Sequence, residues 1–184
     1  RYVNTAGSLP NGLAFDAEGN FLIANFGTDC LELMRRDGET RVLLDNLDGK
    51  PLGKTNFVTR DTRGRLWLTV TTRMVPWTRH VETMSYDGYI AVIDEKGARI
   101  VADGLCGTNE LRFDPAEEYV YVAETTARRV SRFRVNHADG SLGPRETYGP
   151  ENVGGFCDGI AFDAFGNLWS TLVMADRLIA ITPD

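Results

Sequence analysis

A chain of 184 residues with a formal net charge of -6 is long enough for one domain with a sizeable core, and its scattered basic residues exclude the basic stripe of a nucleic-acid surface. No apolar run approaches the roughly 18–20 residues of a membrane helix, so no membrane partner is expected. The cysteines Cys30, Cys106 and Cys157 are odd in number and lack CxxC spacing, which argues against a disulfide framework and a zinc site and favours a reduced, cytoplasmic setting.

Along the chain, short β signals alternate with turn signals. Residues 1–8 read as the outer strand of an incomplete unit. A strand carrying Leu13 and Phe15 then runs into Asp16-Ala17-Glu18-Gly19, followed by apolar runs at 21–24, 30–34 and 40–44. The pattern restarts at Asn56, with runs at 66–69, 88–93 and 98–102, and again at Asn109, with runs at 119–122 and 129–134. A last unit starts at Asp158, with runs at 168–171 and 177–181. A fourth strand is expected only in the first two units, and no stretch holds a 3.6-residue period for long.

Residues 11–19, 56–64, 109–117 and 158–166 align without gaps. Their first residue is Asn11, Asn56, Asn109 or Asp158, their sixth is always Asp, and their ninth is Gly except for Glu117. Asp bonds its own backbone two residues on and Gly accepts positive φ, so the sixth-position aspartates are read as turn residues. Starts spaced by 45, 53 and 49 residues, with about four strands each, predict an all-β propeller of four-stranded antiparallel blades. A β-sandwich also yields short strands but does not impose the fixed register. Residues 1–184 are read as a single propeller domain cut short at both ends, whose open sheet edges invite oligomerisation.

In a propeller the start of each innermost strand lies near the axis, so Asn11, Asn56, Asn109 and Asp158 converge at one end of the channel. Amide and carboxylate oxygens suit a hard divalent cation. A single such residue at a strand start is as readily a turn cap. His80 and His137, the two histidines, sit at no anchor, and no Gly-x-Ser-x-Gly elbow occurs, which weakens any serine-triad reading. Trp67, Tyr121 and Trp169, on second strands, are read as packing between blades. Residues 71–87 lengthen the second unit as a candidate lid whose Arg73, Trp77, Arg79 and His80 line a substrate pocket.

Three motifs carry a resemblance: Lys54-Thr55-Asn56, the run from Gly107 to Asp114 with Tyr121-Val122-Ala123-Glu124, and the run from Gly155 to Asp163 with Gly166-Asn167-Leu168-Trp169. In them the chain resembles the senescence marker protein/gluconolactonase family, whose members include regucalcin. The resemblance implies a six-bladed propeller that hydrolyses sugar lactones or related esters with one divalent cation, Ca²⁺ first and Zn²⁺, Mg²⁺ or Mn²⁺ as alternatives. It implies Asn109 and Asp158 as cation ligands and Asn56 as a third residue that holds the cation or substrate. It further implies Lys54 at a substrate-binding position where the family has Arg, and Asp158 as the catalytic group. The family's first-blade Glu ligand has no counterpart here. Rival readings are a non-catalytic propeller that binds a partner and a strictosidine-synthase-like propeller enzyme.

Overall fold

The aspartate of each repeat closes a turn, and the strands follow from it. In the computed structural model, which describes residues 7–183, Asp16 Oδ1 accepts the backbone N–H of Glu18 and Asn20 at 3.0 and 2.8 Å. Asp61 does the same for Arg63 and Arg65 and Asp163 for Phe165 and Asn167, whereas Asp114 accepts the Glu118 N–H through Oδ1 and the Tyr119 N–H through Oδ2. Gly19, Gly64 and Gly166 complete three of these turns at φ of 77–85°. Glu117 takes the fourth at φ 54°, which disfavours any residue with a Cβ. Its carboxylate has a local reason to be there: it accepts the N–H and hydroxyl of Thr62 in the neighbouring turn, at 2.8 and 2.7 Å.

Four antiparallel sheets result. The first contains β1 (Pro10–Phe15), β2 (Phe21–Asn25), β3 (Cys30–Met34) and β4 (Thr40–Leu44). A small hairpin, β5 (Asn46–Leu47) and β6 (Lys50–Pro51), leads to the second sheet of β7 (Thr55–Arg60), β8 (Leu66–Val70), β9 (Gly88–Asp94) and β10 (Gly97–Leu105). The third contains β11 (Thr108–Phe113), β12 (Tyr119–Glu124), β13 (Arg129–Arg134) and β14 (Glu146–Tyr148), and the fourth β15 (Phe156–Phe162), β16 (Leu168–Val173) and β17 (Arg177–Ile181). The first strands pack side by side, β7 between β1 and β11, and β11 beside β15, as in the inner wall of a propeller. The expected blades are therefore present.

Two expectations need correction. The third unit also has a fourth strand, β14, whose three residues are too short and too polar to stand out in the sequence. Residues 71–87 contain one helical turn and more, α1 (Arg79–Thr83), too brief to show a period. The strand expected over residues 1–8 falls, apart from Gly7 and Ser8, outside the described residues.

The core lies between blades. Successive side chains of a strand face opposite ways, so a central strand feeds two cores at once. Leu68 and Val70 join Leu22, Leu31 and Val58 between the first two blades, while Trp67 joins Val120, Val122 and Phe133 between the second and third. Tyr121 and Ala123 face the fourth blade, with Ile160 and Leu168. The aromatics of the second strands pack between blades: Trp67 meets Phe113 edge-on at 5.2 Å and Tyr121 meets Phe162 at 4.9 Å. Their counterpart Trp169, on the last blade, remains 37% exposed. Cys30, Cys106 and Cys157 are free and buried. None of the described helices is long and apolar enough to cross a membrane.

Candidate functional site

Each innermost strand is bulged at its anchor. The register of β1 slips between Pro10 and Leu13, of β7 between Thr55 and Phe57, of β11 between Thr108 and Leu111, and of β15 between Cys157 and Ile160. A bulge sets two residues against one and re-aims their side chains. Here it falls on Asn11, Asn56, Asn109 and Asp158, all where these strands begin.

Hydrogen bonds link one anchor to the next. Asn56 Nδ2 donates to Thr71 Oγ1 at 3.0 Å, and the Thr71 hydroxyl donates to the Thr108 carbonyl at 2.9 Å, next to Asn109. Asn109 Nδ2 donates to Thr125 Oγ1 at 3.0 Å, and Thr125 donates to the Cys157 carbonyl at 2.6 Å, next to Asp158. A carbonyl only accepts, so each threonine spends its proton there and must receive from the asparagine. That fixes both amides with nitrogen toward threonine, leaving each Oδ1 for another partner. Asn11 has no such relay from a threonine, since Phe26 stands fifteen residues on, and it is exposed.

Glu110 shares the bulge with Asn109. Its Oε2 accepts the Ile160 N–H at 3.1 Å and its other oxygen pairs with Arg112. Burial pushes its carboxyl above the ordinary value, with Arg112 opposing and Asp158 adding to the rise. Arg112 in turn stacks 4.5 Å from the Phe57 ring.

The remaining expected site residues scatter. The Lys54 ammonium bonds Asp29 at 2.8 Å and the Phe26 carbonyl at 3.3 Å, above the first blade. Arg73 turns outward to Asp103 on β10 and stacks 4.3 Å from Tyr89, in a cavity of about 360 Å³ also lined by Lys50 and Ile100. His80 is 1% exposed and bonds Thr126 Oγ1 through Nε2 at 2.8 Å; its Nδ1 lies 3.8 Å from Asp87. The segment 71–87 leaves the second blade, sets Trp77 edge-on to Phe26 of the first at 5.3 Å, and reaches the third at Thr126. It thus spans three blades at the end where the anchors lie, while Arg73 turns to Asp103 and Tyr89 of its own blade and His80 to the third, neither of them to the anchors.

Residues 3–184 match the SMP-30/Gluconolactonase/LRE-like region. The chain belongs to that family. 6-Deoxy-6-sulfogluconolactonase of Pseudomonas putida is 28% identical over 171 residues, 91% of this chain and 55% of the relative. Protein strictosidine synthase-like 4 of Arabidopsis thaliana is 24% identical over 182 residues, 94% of this chain and 46% of the relative. The chain therefore spans about half the length of these curated relatives. Among solved structures, a gluconolactonase from Xanthomonas campestris has a TM-score of 0.74 at 22% identity over 95% of this chain and 62% of that one. Regucalcin, a calcium-binding protein, from Agrobacterium tumefaciens, has a TM-score of 0.70 at 21% identity over 92% and 55%. These two likenesses establish a shared fold.

In this SMP-30/gluconolactonase-like chain the donors suit an oxygen-seeking cation. Among the described residues no three His, Cys, Asp or Glu side chains converge. What the anchors present is two amide oxygens, left uncommitted by the threonine relays, and the half-buried carboxylate of Asp158. Such a set fits Ca²⁺ better than a metal that prefers imidazole or thiolate. Sequence reasoning missed Thr71 and Thr125. The available signal was a threonine fifteen or sixteen residues after each anchoring asparagine.

The His80 latch makes two predictions. Gly107 has φ +72°, and a Cβ there would stand 2.5 Å from Thr126 Oγ1 and 2.9 Å from His80 Nε2. Gly107→Ala is expected to lift the segment, seen as faster tryptic cleavage after Arg73 and Arg79. Burial holds the His80 pKa below 6.5, with Asp87 opposing. A base depressed in the folded state charges first in the unfolded one. Its stabilising share is therefore full above pH 6.5 and declines as pH falls below that value. Urea midpoints for wild type and His80→Gln should accordingly converge in acid; a constant gap from pH 7 to 5 would contradict this.

Proposed function

We propose that the chain is the site-bearing part of a cation-assisted lactonase, and that Asn56, Asn109 and Asp158 hold one divalent cation, Ca²⁺, at the anchor end of the channel. The observation that carries this reading is the pair of relays, which commit two hydroxyls and two amide nitrogens and leave two amide oxygens uncommitted at repeat positions equivalent to Asp158. Family membership, the likeness to a Pseudomonas sulfogluconolactonase and the fold shared with a calcium-binding regucalcin support it. The cation, when bound, supplies electrophilic polarisation of the ester carbonyl.

The protein's own groups do the rest. Asp158 orients a water and takes its proton as the water oxygen bonds to the acyl carbon. The acyl–oxygen bond of the ring then breaks, and the same proton passes to the departing ring oxygen, leaving a hydroxy acid. Asn56 and Asn109, fixed by Thr71 and Thr125, hold their amide oxygens in place through both steps. Lys54, paired with Asp29, lies one bulge away and would meet an anionic substituent only by leaving that carboxylate.

The test is ring opening of gluconolactone and other aldonolactones, followed by acid release at constant pH, with Ca²⁺ and with chelator. Calcium-dependent opening that Asn109→Ala and Asp158→Ala abolish supports the proposal. Equal rates in wild type and both variants sink it and leave the partner-binding or strictosidine-synthase-like reading.

A further inference from the structure

The second position of the repeat holds Gly12, Phe57, Glu110 and Gly159, so a carboxyl side chain occurs there once. The bulge in β11 turns Glu110 toward the junction of the third and fourth blades, where its side chain is only 16% exposed. There Oε2 accepts the N–H of Ile160, two residues beyond Asp158 and the first paired residue after the bulge that carries it. Gly159 leaves the room: a Cβ on it would stand 3.0 Å from Glu110 Oε2. Arg112 holds the other oxygen and is itself braced against Phe57, 4.5 Å from the ring. A carboxylate is thus fixed on both oxygens between the anchor Asn109, its neighbour in the chain, and the bulge of Asp158.

A blade junction needs no charge to be held together. The cores of the junctions are Leu, Val and aromatic side chains, with charged groups also reaching across at Lys54–Asp29 and Glu117–Thr62, and burying a carboxylate costs free energy unless it is paired. What Glu110 adds is a fixed hydrogen bond on the Asp158 bulge and a negative charge next to donors that include one carboxylate and two neutral amides.

We propose that Glu110 is a positioning residue of the anchor site: it fixes the backbone that presents Asp158 and supplies part of the negative field that retains the cation. The inference rests on the cation-assisted reading above. Residues that hold a ligand in place from behind typically change cation affinity by about 10–100-fold when replaced. Glu110→Gln keeps an oxygen for the Ile160 N–H and removes the charge, whereas Glu110→Ala removes both.

The experiment is calorimetric titration of Ca²⁺ into the 184-residue chain and these two variants, with urea midpoints for each. Glu110→Gln should weaken Ca²⁺ binding about 10–100-fold with little change in midpoint. Glu110→Ala should weaken it further and lower the midpoint. Wild-type affinity in Glu110→Gln, with stability altered or not, overturns the positioning role and leaves Glu110 as a strap between blades. Wild-type protein that takes up no Ca²⁺, Mg²⁺ or Mn²⁺ overturns the cation reading itself, and this inference with it.

Discussion

Asp158→Ala is expected to open lactones about 10²–10⁴-fold more slowly than wild type, the range that a positioned proton acceptor contributes, with little change in the urea midpoint. The side chain is half-buried at a strand start, and the backbone around it is held by other groups: Thr125 bonds the Cys157 carbonyl, and Glu110 accepts the Ile160 N–H. Removing the carboxylate therefore leaves the bulge in place. Asn109→Ala should also fall by at least about 10²-fold, for a different reason. It deletes an amide oxygen, while the Thr125 hydroxyl keeps its bond to the Cys157 carbonyl.

Asn109→Asp separates charge from geometry. A carboxylate cannot donate to Thr125 Oγ1, so Thr125 must either abandon the Cys157 carbonyl or face an acceptor it cannot satisfy. Tighter Ca²⁺ binding together with slower turnover is the expected pair of results. Thr125→Ser, which keeps the hydroxyl, should resemble wild type, and Thr125→Val should lose rate without any change at the anchors themselves. An Asp158→Ala protein that opens lactones at the wild-type rate would show that the chemistry lies elsewhere.

The blades were legible because their signals are local. An aspartate that caps its own turn, a glycine at positive φ and a five-residue apolar run each act within one hairpin, and together they repeat in register. The anchors followed from that register. Local chemistry says nothing about partners on other blades, and the remainder depended on those. His80 reads as a pocket-lining residue in a loop, yet Thr126, forty-six residues on, takes its Nε2 and buries it. Arg73 also reads as a pocket-lining residue until Asp103, thirty residues on in its own blade, and Tyr89 are brought beside it. Glu110 resembles a routine substitution for Gly until the bulge sets it against Gly159. Glu117 looks like a flaw in the repeat, and Thr62 of the preceding blade explains it.

Trp67→Ala should cost about 3–5 kcal/mol of folding stability, the usual range for deleting a buried large aromatic. Trp67 has no exposed surface, packs edge-on against Phe113 across the blade junction, and donates Nε1 to Asp61 Oδ2 at 3.0 Å. The same oxygen accepts Arg65 Nε at 2.6 Å, so indole and guanidinium share one buried carboxylate. Loss of the indole opens a cavity in the core between the second and third blades and leaves the Asp61–Arg65 pair to hold itself. Trp169 supplies the comparison. It makes the same bond to its own turn aspartate, Nε1 to Asp163 Oδ2 at 2.9 Å, but is 37% exposed with no following blade against it among the described residues. Trp169→Ala should therefore cost about 1 kcal/mol, close to the hydrogen bond alone. Urea unfolding of the two variants measures the difference directly. Similar losses at both positions would mean that packing between blades contributes little here, and that the turn bond, repeated down the chain, is the larger source of stability.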